Sequence, residues 1–157
     1  NLTGVFLMSQ AVGREMAKTG GGVILHTASI DASGGDGPYA AYNASKHGVI
    51  GLMRTLAHEL GPDGIRVNAV CPGWVDTPML TASLDDAGAD AADLSPFTSM
   101  NLIQRLIEPE EVTEAVAWLA SPSGLTPTSV TPAAPSSARD ASRLHASAVQ
   151  AGEKSSG

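Results

Sequence analysis

The chain has 157 residues, 43% apolar and 16% charged, with a formal charge of −7. This is the composition of a globular protein, and no apolar run is long enough to cross a bilayer as a helix. Its Lys and Arg are scattered rather than striped along one face, which excludes the footprint of a nucleic-acid binder. A single cysteine, Cys71, excludes an internal disulfide and fits a reducing cytoplasm.

Asn1 to about Lys18 carries Leu2, Val5, Phe6, Val12 and Met16 at helical spacing, and Gly20-Gly21-Gly22 ends that helix. Val23 to Leu25 reads as a buried strand, closed by His26-Thr27-Ala28-Ser29. Asp31, two residues past Ser29, either forms a turn or reaches a substrate held at Ser29. Gly35 to Ala40 fits G-x-G-x-x-A, the pattern of a dinucleotide turn. Against that reading, the loop from Ser29 is long, Pro38 removes a backbone donor, and no acidic residue ends a following strand about 20 residues later.

Tyr39 to Leu60 reads as a second long helix with Val49, Leu52, Met53 and Leu56 on one side, stopped by Gly61-Pro62. Val67 to Cys71 is a second buried strand, turning at Pro72-Gly73. From Trp74 to Asn101 the periodicity is weak. Trp74, Met79, Leu80 and Phe97 there either line a pocket or cap the core, and Asp85, Asp86, Asp90 and Asp93 lack the spacing of a metal loop and read as solvated. Pro109 to Ala120 forms a third helix with Glu110 and Glu111 in its first turn, where the helix dipole favours acids. From Ser123 to Gly157 Ala, Ser, Pro and Thr dominate, and the expectation is a disordered tail; a shifted reading frame would also produce such text.

The chemistry concentrates at Tyr42 and Lys46. Four apart on a helix, they lie on the same face, so an ammonium is held beside a phenol. A free phenol titrates near pH ~10, and a cation within a few ångströms favours its anion, which makes a tunable proton donor. Ser29 and Pro72-Gly73 fall at the carboxyl ends of the two strands, where ligands bind in parallel α/β sheets. Three elements therefore converge on one crevice, with Ser29 suited to hold and polarise the oxygen that Tyr42 protonates. His26, His47, His58 and His145 show no pairing with Ser or Cys that suggests a triad.

The stretches Asn1-Leu2-Thr3-Gly4-Val5-Phe6, Ser29, Tyr39-Ala40-Ala41-Tyr42-Asn43-Ala44-Ser45-Lys46, Gly64 to Gly73 and Pro109-Glu110-Glu111-Val112 together resemble the C-terminal part of a short-chain dehydrogenase/reductase. The resemblance covers about Asn1 to Pro122. It implies an α/β fold: a partial Rossmann-like, doubly wound parallel sheet lacking its N-terminal half. Two regions follow, a dinucleotide-binding portion over 1–122 and a low-complexity tail over 123–157. It further implies a catalytic tetrad of Asn1, Ser29, Tyr42 and Lys46, with Tyr39 a decoy because no lysine follows it by four.

By the same resemblance the cofactor is NAD or NADP, bound by Tyr42, Lys46, Pro72, Gly73, Val75 and Thr77, and the substrate is a small alcohol or ketone. Lys46 would bond the nicotinamide ribose, Asn1 would position a water linking Lys46 to solvent, and the stretch after Trp74 would be a substrate loop. Homo-oligomers pairing through the two long helices are implied as well, with no membrane and no nucleic-acid partner. A chain opening inside a helix without Met, and without a Gly-rich strand-turn-helix, reads as a partial sequence. The rival reading is a non-catalytic chain that serves only as an interaction partner through those helices.

Overall fold

The structure is a computed structural model describing residues 1–35, 39–86, 93–99, 101–124 and 129–130. The described residues divide into two compact units, one within residues 1–75 and 107–130, the other within 76–106.

The first unit opens with helix α1, Leu2–Thr19, which ends where Gly20 adopts φ 84° and its N–H caps the Met16 carbonyl at 3.1 Å. Only a residue without Cβ takes that left-handed turn cheaply. Strand β1, Gly22–Thr27, follows, then helix α2, Ala40–Leu60, and strand β2, Ile65–Val70. The two strands are parallel, in register from Gly22 opposite Ile65 to Thr27 opposite Val70, with α2 as the crossover. Ser129 and Val130 form a short strand, β3, parallel to β2 through Ala69 and Val70.

Side chains on both faces of β2 are inaccessible: Ile65, Val67, Asn68, Ala69 and Val70 are all 2% exposed or less. A strand buried on successive residues needs cover on both faces, the mark of a parallel α/β sheet. Helix α2 contributes Val49, Ile50, Met53 and Leu56 to that core, and Leu52, expected among them, is only partly buried. Helix α5, Pro109–Ala120, contributes Leu119. Arg66 on β2 donates to the carbonyls of Leu119 and Ser121, 2.9 Å each, closing the C-terminal end of α5 where its dipole is negative. The other end is held by Glu111, whose carboxylate accepts from the Glu108 N–H at 2.8 Å.

Helix α1 keeps only part of its expected apolar face inside: Val5, Val12 and Met16 are partly buried, Val5 and Met16 against the core, while Leu2 and Phe6 are exposed. Its buried residues are Ser9 and Gly13, while Phe6, Leu7 and Met8 are exposed. Small residues let the backbone approach closely: a Cβ on Gly13 would lie 3.0 Å from Leu60.

In the second unit the weakly periodic stretch holds more helix than its pattern suggested. Helix α3 spans Pro78–Asp86, and a short α4 spans Ser95–Thr98. Pro78 is pre-organised for a first helical turn, and Asp93 accepts from the Ser95 N–H at 3.0 Å; the Ser95 hydroxyl first, and then that N–H, draw its carboxyl below the usual range. Leu80 is buried, Phe97 partly buried and Met79 exposed. No described helix is long and apolar enough to cross a membrane.

Three features named above lie outside the described residues: Asp36 to Pro38 of the G-x-G-x-x-A pattern, Asp90, and most of the 123–157 tail, including His145.

Candidate active site

Two loops leave the carboxyl ends of β1 and β2 side by side. Backbone bonds from Ala28 N–H to the Val70 carbonyl (2.8 Å) and from Ile30 N–H to the Pro72 carbonyl (3.1 Å) stitch them together. Ser29, in extended backbone, sits between these stitches and is buried. Its Oγ accepts from the Asp31 N–H at 3.2 Å and lies 3.4 Å from Asp31 Oδ2, so Ser29 caps the short 3-10 turn over Ile30–Ala32. Asp31 thus takes part in a turn, and its carboxylate is also beside the hydroxyl.

Helix α2 brings Tyr42 and Lys46 to the same place. The Lys46 ammonium stands 5.5 Å from the centre of the Tyr42 ring and donates to the Thr27 carbonyl at 2.8 Å. That carbonyl is two residues before Ser29, so one ammonium ties the helix to the end of β1. Both side chains are partly buried. Burial pushes the Lys46 ammonium below its ordinary range, opposed by the charge Cys71 would carry as a thiolate. Cys71 itself is a buried, packed side chain at the end of β2.

Asn1 is the N-cap of α1 and exposed, with no side-chain cap bond. Its neighbour Leu2 packs on Gly48 of α2, where a Cβ would come within 2.7 Å of the leucine. Any larger residue at Gly48 would turn the leucine methyls aside, and the contact brings the start of α1 against α2 two residues beyond Lys46. Pro72 and Gly73 lie at the stitched loop, and Val75 pairs in a parallel bridge with Ile107. Thr77 belongs to the second unit, where its carbonyl accepts from Leu80 N–H at 2.9 Å. Tyr39, the tyrosine without a lysine four on, is exposed at the head of α2.

One contact went unseen in the sequence. His26 Nε2 bonds Ser9 Oγ at 2.9 Å, both groups buried, joining α1 to β1. The partners are 17 residues apart on different elements, and no local spacing signals such a pair. The His26 Nδ1 has no hydrogen-bond partner among the described residues, and burial holds the ring below its usual pKa.

A parallel sheet with a serine at one strand end and a tyrosine-lysine pair on the crossover helix defines a dehydrogenase-type α/β class. The family model described as enoyl-(acyl carrier protein) reductase matches residues 1–130. The chain is 42% identical over 121 residues to a 3alpha-hydroxysteroid dehydrogenase of Mediterraneibacter gnavus, covering 77% of this chain and 46% of that protein. It is 41% identical to a cis-4-hydroxycyclohexanecarboxylate dehydrogenase of Sinomonas cyclohexanicum over the same shares of each chain. Among solved structures, an actinorhodin polyketide ketoreductase variant with NADPH superposes with a TM-score of 0.80 at 36% identity, covering 85% of this chain and 55% of that one.

The chain belongs to the short-chain dehydrogenase/reductase family. It spans about half the length of the curated relatives it matches.

Proposed function

We propose that the protein is an NAD(P)-dependent oxidoreductase that interconverts a secondary alcohol and a ketone, with Tyr42 as general acid and base. The observation that carries this reading is the Lys46 ammonium, 5.5 Å from the Tyr42 ring and bonded to the strand end that bears Ser29. The relatives' names, two dehydrogenases and a ketoreductase with NADPH, support the reaction class.

In the reductive direction Tyr42 donates its proton to the carbonyl oxygen, and in the oxidative direction it takes the proton from the alcohol. Ser29 holds the same oxygen and polarises it. The ammonium beside Tyr42 favours the negative charge that the phenol oxygen acquires as its proton leaves. Asn1 is assigned the water that connects Lys46 to solvent.

The residues present fit the nicotinamide-ribose end of the cofactor. One Lys46 donor is engaged by Thr27, and an ammonium has three, so a ribose diol can take the others. Tyr42, Pro72, Gly73, Val75 and Thr77 complete the assigned contacts. When bound, the reduced cofactor supplies the hydride to the carbonyl carbon.

Homo-oligomerisation through α1 and α2 is part of the same proposal. Phe6, Leu7 and Met8, exposed on α1, support it, since apolar side chains at helical surfaces serve such contacts. A cytoplasmic setting is supported by the single, buried cysteine. The region after 122 is proposed as a low-complexity tail on composition; the family match to residue 130 includes its start, where Ser129 and Val130 join the sheet.

The test is Tyr42→Phe in the full-length protein, assayed for ketone reduction and cofactor binding. Turnover should collapse while cofactor affinity holds, and Tyr39→Phe should be close to neutral. Retention of more than about a tenth of turnover, a loss under roughly 1.4 kcal/mol of barrier, would exclude Tyr42 as the proton donor.

A further inference from the structure

The loop after β1 presents two oxygens together. Ser29 Oγ and Asp31 Oδ2 are 3.4 Å apart, and the turn that holds them is pinned by Asp31 N–H on Ser29 Oγ and by Ile30 N–H on the Pro72 carbonyl. At 3.4 Å the hydroxyl-carboxylate contact is long compared with the roughly 2.5–2.7 Å of a strong charge-assisted bond. Asp31 is partly buried, and its carboxylate stands beside a buried hydroxyl.

A substrate whose carbonyl oxygen rests on Ser29 therefore carries its neighbouring carbon past a carboxylate. An anion accepts hydrogen bonds and donates none, so it rewards a substituent with a donor and penalises an apolar one that strips water from it. A hydroxyketone with its C=O and C–OH bonds syn presents two oxygens side by side along one edge. One can meet the serine while the other donates to the aspartate.

We propose that Asp31 is a specificity-determining residue that selects hydroxyketones, and the matching vicinal diols, over substrates with an apolar group next to the reacting carbonyl. This rests on the assignment of Ser29 and Tyr42 to the carbonyl oxygen. A site that hydrogen-bonds a substrate hydroxyl discriminates strongly against its absence, and partial exposure of Asp31 reduces that to a preference of about tenfold in kcat/KM.

The experiment compares 2-hydroxycyclohexanone with 2-methylcyclohexanone, nearly equal in size, as substrates of the full-length protein and of its Asp31→Ala and Asp31→Asn variants. The expected result is a preference of about tenfold for the hydroxyketone, falling to about one in Asp31→Ala and to an intermediate value in Asp31→Asn, which keeps a neutral acceptor. An equal ratio in the parent protein and Asp31→Ala overturns the proposal, as does a parent preference for the methyl compound. Cyclohexanone, with no substituent, separates this from the parent reading. If its reduction survives Tyr42→Phe, or if no ketone is reduced, the assignment of the site fails and the Asp31 proposal with it.

Discussion

Replacing Lys46 by Met separates the catalytic from the structural work of that side chain. The stem volume is kept and the ammonium removed. The ammonium is 5.5 Å from the ring centre, which sets the scale of its distance to the phenol oxygen; unit charges at such a separation interact by roughly 3 kcal/mol at an effective dielectric of about 20, and solvent around a partly buried group reduces this to about 1.5–3 kcal/mol. That is the stabilisation withdrawn from negative charge on the Tyr42 oxygen, so kcat should fall by about ten- to a hundredfold. Cofactor affinity should fall too, because the same ammonium is assigned to the ribose.

Stability should move the other way or hardly at all. Burial lowers the Lys46 pKa, so the folded state disfavours the charge. That cost is fully present below the folded pKa and is relieved as pH rises through the unfolded value. At neutral pH Met removes the cost and loses the bond to the Thr27 carbonyl, worth about 1 kcal/mol, leaving a net change near zero. The assay pairs ketone reduction with urea unfolding in the full-length protein. A variant that keeps more than a third of wild-type turnover would refute the electrostatic role; equal losses of activity and folding stability would refute the separation of roles.

Other consequences follow from contacts between distant elements. Arg66→Met should cost about 1.5–3 kcal/mol in urea unfolding, since two bonds from a charged donor leave the Leu119 and Ser121 carbonyls at the end of α5. His26, held below its ordinary pKa by burial, makes the unfolded chain bind the proton first, so stability should drop as pH falls below 6.5 and level off under the folded value. His26→Gln should flatten that decline in unfolding midpoints measured between pH 7.5 and about 5. Gly48→Val should displace the Leu2 side chain, and hydrogen exchange should rise at the start of α1.

Much of the site is legible in the amino-acid order because its signals are local. Tyr42 and Lys46 fall on one face of a helix by spacing alone, and the helix exists because Val49, Met53 and Leu56 recur at its period. Pro109 with Glu110 and Glu111 marks the start of α5, and the Gly20 stop closes α1, each through chemistry confined to a single turn. The apolar runs of β1 and β2 likewise announce buried strands.

What needed tertiary structure is whatever depends on groups brought together from separate elements. Helical spacing marked Leu2, Val5, Phe6, Val12 and Met16 as one apolar face of α1, yet its buried residues are Ser9, bonded to His26 of β1, and Gly13, against Leu60 of α2, while Phe6, Leu7 and Met8 lie outside. The Ser9–His26 bond and the Arg66 cap on α5 join residues 17, 53 and 55 positions apart, distances over which no periodicity carries information. The Lys46 bond to the Thr27 carbonyl spans 19 residues and depends on where the parallel crossover returns α2 to the strand end. Local order determined which side chains could do the chemistry; packing of helices against a shared sheet decided which of them meet, because contact energies depend on distance in space rather than along the chain.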